Sequence, residues 1–89
     1  MEKVKKIKVR LLEIEENELP IRTEFIKLDS ALKLSNIAST GGHAKILIEE
    51  ERIKVNGETC LVRGRKLFPG DNFEYRNQRF SVVSLNESK

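Results

Sequence analysis

The most chemically suggestive stretch of this 89-residue sequence is VRGRKLFPGD, residues 62–71, which places Arg63, Arg65 and Lys66 around a glycine. Like charges this close repel one another, so this basic loop (residues 63–66) is either an incidental solvated connection or a site for an anionic partner. The planar guanidinium of arginine matches phosphate oxygens, and Gly64 lets the loop backbone come close to a partner. These residue types favour phosphate binding.

A second candidate is STGGHAK, residues 39–45, at the start of a predicted helix. The first N–H groups of a helix have no acceptor within the helix and carry partial positive charge. Because Gly41 and Gly42 have no side chains, a phosphate could approach these N–H groups closely. Lys45, and His43 if protonated, would add positive charge. The alternative is a tight turn between two helices that simply needs glycine.

Positive charge is concentrated in the C-terminal third of the sequence. The whole chain has 17 Lys and Arg against 14 Asp and Glu, a formal net charge of +3, which alone does not imply nucleic acid. Residues 52–79, however, hold seven Lys and Arg against three acids. Arg52 and Lys54 precede the basic loop by one hairpin, so the two strands could present one connected basic face.

No arrangement typical of catalysis or metal binding accompanies these cations. His43 is the one histidine of the chain and Cys60 the one cysteine. No set of Cys, His and carboxylates has the spacing of a metal site. Cys60 lies in a predicted strand, where a small core or edge residue is expected, and no Ser/His/Asp or Cys/His grouping accompanies it. The sequence therefore predicts neither an enzyme nor a cofactor.

Length and composition predict one small domain, in which hydrophobic residues make up 38% and charged residues 35% of the chain. These proportions fit a modest core beneath a densely charged surface. A single cysteine cannot form an internal disulfide, which fits a reducing compartment. No stretch approaches the roughly 20 apolar residues of a membrane span. We therefore expect a cytoplasmic monomer without membrane contacts.

The residue pattern predicts an α+β domain in the order strand, two helices and small antiparallel sheet. Residues 3–14 alternate as a strand, residues 15–20 break the pattern with Pro20 as the stop, and residues 21–28 alternate again. Asp29 is expected to cap the first helix. Ser39 or Thr40 is expected to cap the second, whose apolar stripe is Ala44, Leu47 and Ile48.

The remaining elements are predicted by their turns. Asn56-Gly57 tolerates the positive φ of a two-residue type I′ hairpin turn. Pro69-Gly70 has the residue types of the central positions of a type II turn. Two further strands are expected around Asn77-Gln78. The residues that these last strands offer to the core are Phe73, Tyr75, Phe80 and Val82.

Residues 27–75, just over half of the chain, resemble the alpha-L RNA-binding motif family, the domain type of ribosomal protein S-four. Four pieces of the family pattern occur in order and at the right spacing, and the ordered set is specific although no single piece is. The segments TEFIKLDSALKL, GGHAK and RGRKL are similar to the small stand-alone bacterial members of the YaaA and YbcJ type. The four pieces are Leu28-Asp29, Ala44-Lys45, Val55-Asn56-Gly57 and Pro69-Gly70-Asp71.

The resemblance implies two short helices, arranged as in a helix-turn-helix, against a small antiparallel sheet in residues 21–85. Residues 1–20 would form an N-terminal extension and residues 86–89 a tail. Many relatives have an arginine where Gly41 stands, so bare N–H groups would replace that contact here. The residues expected to bind RNA are Thr40, Gly41, Gly42, His43, Lys45, Lys54, Arg63, Arg65 and Lys66.

The function that the resemblance implies is non-catalytic binding of structured RNA, expected to be ribosomal RNA, through its phosphates, in ribosome assembly or RNA metabolism. Double-stranded RNA hides its base edges in a deep groove, so a small basic domain reads shape and backbone. The alternative is a protein-interaction module that docks on a ribosomal protein or assembly factor. Its signal would be an exposed apolar patch around Val9, Leu11 and Leu12, with mild salt sensitivity.

Overall fold

The structure, a computed structural model, describes residues 14–85. The predicted strand at residues 3–14, except its last residue, lies outside this range, as do the apolar patch around Val9 and the tail at residues 86–89. The described elements are β1 Glu15–Ile21, β2 Ile26–Lys27, α1 Leu28–Leu34, α2 Gly41–Glu49, β3 Ile53–Val55, β4 Glu58–Thr59, β5 Lys66–Leu67, β6 Asn72–Tyr75 and β7 Gln78–Ser84.

The main sheet has the strand order β1-β7-β6-β3-β4, and β2 pairs with β5 in a separate two-stranded ribbon. All pairs are antiparallel except β1 with β7, which run parallel from Glu15 opposite Gln78. The α+β fold class is therefore confirmed, with a mixed sheet in place of a purely antiparallel one. The break predicted at residues 15–20 is wrong, because these residues form most of β1. Pro20 is tolerated there because, among residues 14–85, β1 is at the edge of the sheet.

The core lies between the two helices and the inner face of the sheet. The apolar stripe predicted for the second helix is confirmed, because all three of its residues are buried. Phe73 and Phe80 from neighbouring strands stack with their ring centroids 5.3 Å apart. Cys60 is buried in the same cluster, as expected for a core residue. Among residues 14–85, no helix has the length and apolar character needed to span a membrane.

The first helix begins differently from the prediction. Its N-cap is Lys27, whose side chain makes no capping hydrogen bond, and the predicted cap Asp29 lies inside the first turn. The N–H of Leu28 donates to the carbonyl of Arg65 at 2.9 Å, and the N–H of Asp29 donates to that of Arg63 at 3.1 Å. The backbone of the basic loop thus supplies acceptors that a capping side chain would otherwise provide.

The strand predicted at residues 21–28 is wrong for most of its length. Ile21 ends β1, only Ile26–Lys27 pair with β5, and the chain is helical from Leu28 onward. Before β2, the hydroxyl of Thr23 donates to the carbonyl of Phe25 at 2.8 Å, which favours a bend over an extended strand.

The predicted turns between strands require residues with positive φ. Two of the three lie where they were predicted. Asn56 has φ 51° and Gly57 has φ 89°, as a two-residue type I′ turn requires. Gly70 has φ 104° at the third position of the Pro-Gly turn, which fits type II. The last turn lies one residue earlier than predicted, at Arg76 and Asn77, because Tyr75 is the residue that pairs with Gln78.

Candidate nucleic-acid interface

The basic loop is fixed by its backbone while its side chains face solvent. The N–H of Arg65 donates to the carbonyl of Val62 at 3.1 Å, which closes a turn, and two loop carbonyls accept hydrogen bonds from the start of α1. The side chains of Arg63, Arg65 and Lys66 are exposed. The fold therefore holds the cations in place before any partner binds.

The arginines of the loop differ in how far their charge is compensated. Arg63 Nε lies 3.4 Å from Asp29 Oδ2, and this pair is half-exposed on the arginine side. Such a surface pair contributes at most about 1 kcal/mol, but it orients the guanidinium and offsets part of its charge. Arg65 has no ion-pair partner among residues 14–85. Of the two arginines of the loop, Arg65 is therefore the more available to an external anion.

The structure adds Lys27, a cation that was not predicted to belong to the site. In the β2–β5 ribbon, Lys27 stands directly opposite Lys66, and both are exposed. Like charges opposite each other destabilise an antiparallel pair. The Nζ of Lys66 lies 4.8 Å from the ring centroid of Phe25, an attraction that offsets part of this repulsion. Together with the two arginines of the loop these lysines form a group of four cations, here termed the α1 cation cluster: Lys27, Arg63, Arg65 and Lys66.

The start of the second helix is closed by two reciprocal hydrogen bonds. Thr40 is the N-cap, as predicted, and its Oγ1 accepts from the N–H of His43 at 3.0 Å. The Nδ1 of His43 in turn accepts from the N–H of Ser39 at 3.2 Å. Because Nδ1 accepts this hydrogen bond, the ring nitrogen left to act as a donor is Nε2. His43 therefore acts as a capping residue here and leaves an exposed N–H donor.

The glycine pair, Gly41 and Gly42, is not required by the turn. Neither residue has a positive φ. A Cβ at Gly41 would meet nothing within 4 Å, and one at Gly42 would meet only Thr40 Oγ1, at 3.9 Å. Within the described residues, the N–H groups of the pair have no acceptor. The alternative of a turn that needs glycine is therefore unsupported, and the bare N–H groups remain available to an anion, with exposed Lys45 on the same helix.

The two groups of predicted binding residues flank the first helix. The basic loop is bonded to the N-terminus of α1, and the glycine pair follows its C-terminus after six intervening residues. A helix of seven residues is about 10 Å long. The structure thus places the α1 cation cluster at the N-terminal end of α1 and the start of α2 beyond its C-terminal end.

Lys54 is placed apart from these groups. It alternates with two buried residues of β3, so its side chain lies on the outer face of the sheet, where its neighbour across the strand is Glu74. Glu74 also pairs with Arg79 at 3.3 Å. Arg52 is engaged as well, since Glu50 at 2.9 Å raises its pKa by a hydrogen bond and by its charge. The connected basic face expected from the hairpin is therefore interrupted by acids.

The described residues offer little to a metal ion. No three His, Cys, Asp or Glu side chains in residues 14–85 come together as potential ligands. The thiol of Cys60 is buried and lies 3.7 Å from the carbonyl of Val62. The exposed cations and the free N–H groups at the start of α2 can bind an anion that carries several phosphates.

Comparison with known proteins decides the family. Residues 19–83 match the S4 domain. The chain belongs to the S4 domain family. A relative of this chain is the protein named "Probable ribosome maturation protein RlbA" from Bacillus subtilis (strain 168), which is 43% identical over 69 residues, covering 76% of this chain and 97% of that protein. The resemblance to small members of the S-four type of RNA-binding domain is thereby confirmed.

Proposed function

We propose that this S4-domain protein binds structured ribosomal RNA, without catalysing a reaction, during ribosome maturation in the cytoplasm. The observation that carries the proposal is the α1 cation cluster, in which four exposed cations surround one helix start. The name of the RlbA relative, a probable ribosome maturation protein, supports the ribosomal setting. We propose ribosomal RNA as the partner, with ribosomal proteins or assembly factors beside it, and a monomeric protein.

The phosphate backbone is the feature of RNA that the cluster would bind. Arginine donates two parallel hydrogen bonds to phosphate oxygens, and Arg65 has no competing ion pair among the described residues. The loop backbone is already ordered by α1, so little conformational freedom is lost on binding. A fixed group of cations of this kind reads the shape of an A-form helix more than its sequence.

A second set of phosphate contacts is proposed at the start of α2. The N–H groups of Gly41 and Gly42 would bind a phosphate, helped by the positive end of the helix dipole. The exposed Nε2–H of His43 would donate to the phosphate backbone of the same RNA strand. Lys54 is proposed as a border contact on the outer face of the sheet. The proposed RNA-binding residues are Lys27, Thr40, Gly41, Gly42, His43, Lys45, Lys54, Arg63, Arg65 and Lys66.

Salt dependence of binding tests the phosphate contacts. If about four to six phosphates are neutralised, log K falls with log salt at a slope of roughly −3 to −5. The Arg63→Gln/Arg65→Gln/Lys66→Gln variant should flatten that slope by about 2 to 3. A Lys33→Gln/Arg52→Gln/Arg76→Gln variant removes the same charge elsewhere and should keep it. Equal flattening in both variants would show that net charge alone governs binding.

The cellular partner is tested by UV crosslinking in cells, with sequencing of the RNA recovered with the tagged protein. Reads concentrated on one region of ribosomal RNA, and lost in the triple variant of the basic loop, would support the proposal. Recovery of protein partners without RNA above background would instead favour an interaction module. Thermal unfolding of the variant checks that the fold is intact.

A further inference from the structure

The β2–β5 ribbon has one buried face and one face toward solvent. Its inner pair includes Leu67, which is fully buried. Its outer pair is Lys27 opposite Lys66. Phe25 and Phe68 lie just outside the two strands, two positions from these lysines, and they contact each other and Lys66 beside this outer face.

An aromatic pair therefore stands beside the two lysines. The rings of Phe25 and Phe68 have centroids 5.6 Å apart and are tilted by 51°. Phe68 remains 43% exposed, which is unusual for so large an apolar side chain. Its backbone is fixed, because its N–H donates to Asp71 Oδ2 at 2.8 Å. The Nζ of Lys66 lies 4.8 Å from the centroid of Phe25 and so ties the cations to the aromatic pair.

We propose that this outer face of the ribbon is a subsite for an unpaired RNA base. The exposed ring of Phe68 would stack on the base, and Lys27 and Lys66 would contact the phosphates on either side. Unpaired bases are recognised by stacking on aromatic side chains, and single strands by aromatics set among cations. The proposal rests on the RNA-binding function proposed above and specifies one structural feature of the RNA.

Charge complementarity selects this occupant over others. An apolar protein surface placed on Phe68 would desolvate two neighbouring ammonium groups without pairing them, which is costly. A perfect duplex offers phosphates but keeps its base faces stacked inside. A single-stranded segment offers both an aromatic face and phosphates.

The position of the subsite defines the form of the RNA. Lys66 follows Arg65 directly, so the ribbon continues from the basic loop. A duplex backbone on the two arginines of that loop would therefore place its first unpaired nucleotide near the ribbon. The preferred RNA has a junction between a stem and an unpaired segment, such as a hairpin loop or a bulge.

The test compares two RNA probes with equal numbers of phosphates, a hairpin with an adenine-rich loop and a fully paired duplex. Wild-type protein should bind the hairpin about 5- to 150-fold more tightly, the range expected for stacking of one base. The Phe68→Leu variant keeps an apolar side chain but has no ring. It should lose this preference and bind the duplex as wild type does.

The Phe68→Trp variant gives an independent signal. The chain contains no Trp, so the variant has one indole, whose emission a stacked base quenches. The hairpin should quench it and the duplex should not. Hairpin binding without quenching, or a Phe68→Leu variant that retains the hairpin preference, would overturn the subsite while leaving RNA binding intact. Failure of wild type to bind either probe would instead overturn the proposed function. Thermal unfolding confirms that both variants fold.

Discussion

The side chain of Asn56 donates a hydrogen bond from Nδ2 to Asp71 Oδ1 at 3.2 Å, across 15 positions of the chain. The Oδ1 of Asn56 also accepts from the N–H of Asn72 at 3.0 Å, and Asp71 Oδ2 accepts from that of Phe68. These bonds join the β3–β4 hairpin turn to the Pro-Gly turn. Two pieces of the family pattern, Val-Asn-Gly and Pro-Gly-Asp, are thus connected in three dimensions and have a structural role.

Replacement of Asn56 by alanine should destabilise the protein. The Asn56→Ala variant loses both side-chain hydrogen bonds and places alanine at φ 51°. We expect the free energy of unfolding to fall by about 2 to 3 kcal/mol, measured by urea denaturation. The Asn56→Gly variant tolerates the positive φ and should lose only about 1 to 2 kcal/mol. If both variants match wild type, the hydrogen bonds contribute nothing to stability.

Loss of the cap at the second helix should also lower stability. The Thr40→Val variant keeps the shape of the side chain but cannot accept the hydrogen bond from the N–H of His43. We expect a loss of about 0.5 to 2 kcal/mol in the free energy of unfolding. The Thr40→Ser variant keeps the acceptor and should remain close to wild type. A loss confined to the Thr40→Ser variant, with Thr40→Val as stable as wild type, would mean that the methyl group, rather than the cap, matters.

The features that the sequence predicted correctly are local ones. Thr40 can cap the second helix because its acceptor is three residues from the N–H that it serves. Asn56, Gly57 and Gly70 adopt positive φ because their residue types tolerate it at little cost. Such choices depend on a few neighbouring residues and can be inferred without knowledge of the tertiary structure.

The features that the sequence did not predict depend on distant pairing. β1 contains charged residues and Pro20, and it becomes a strand because β7, more than 60 positions later, pairs with it in parallel. Asp29 is not the cap of α1, because carbonyls of the basic loop take that role. Lys27 joins the cation cluster through the register that places it opposite Lys66. None of these partners can be identified from local residue types.

Replacement of Gly41 by alanine should affect stability and RNA binding in opposite directions. An added Cβ meets nothing within 4 Å and φ is not positive, so alanine fits and should raise the free energy of unfolding by up to about 1 kcal/mol. The same methyl group would stand where a phosphate approaches the helix N–H groups, so RNA affinity should fall. Urea denaturation and fluorescence anisotropy with a labelled stem-loop RNA measure the two effects. Unchanged affinity in a stabilised variant would remove the glycine pair from the RNA surface.

Arg65 and Lys54 should contribute unequally to RNA binding. Arg65 has no ion pair among the described residues, whereas Lys54 has Glu74 as its cross-strand neighbour on the outer face of the sheet. The Arg65→Gln variant should therefore flatten the salt slope by about 0.7 to 0.9, the value for one phosphate contact. The Lys54→Gln variant removes the same charge and should change the slope less, because Glu74 already offsets the potential at that position. Equal changes in the two titrations would mean that Lys54 contacts a phosphate as fully as Arg65 does, despite the neighbouring carboxylate.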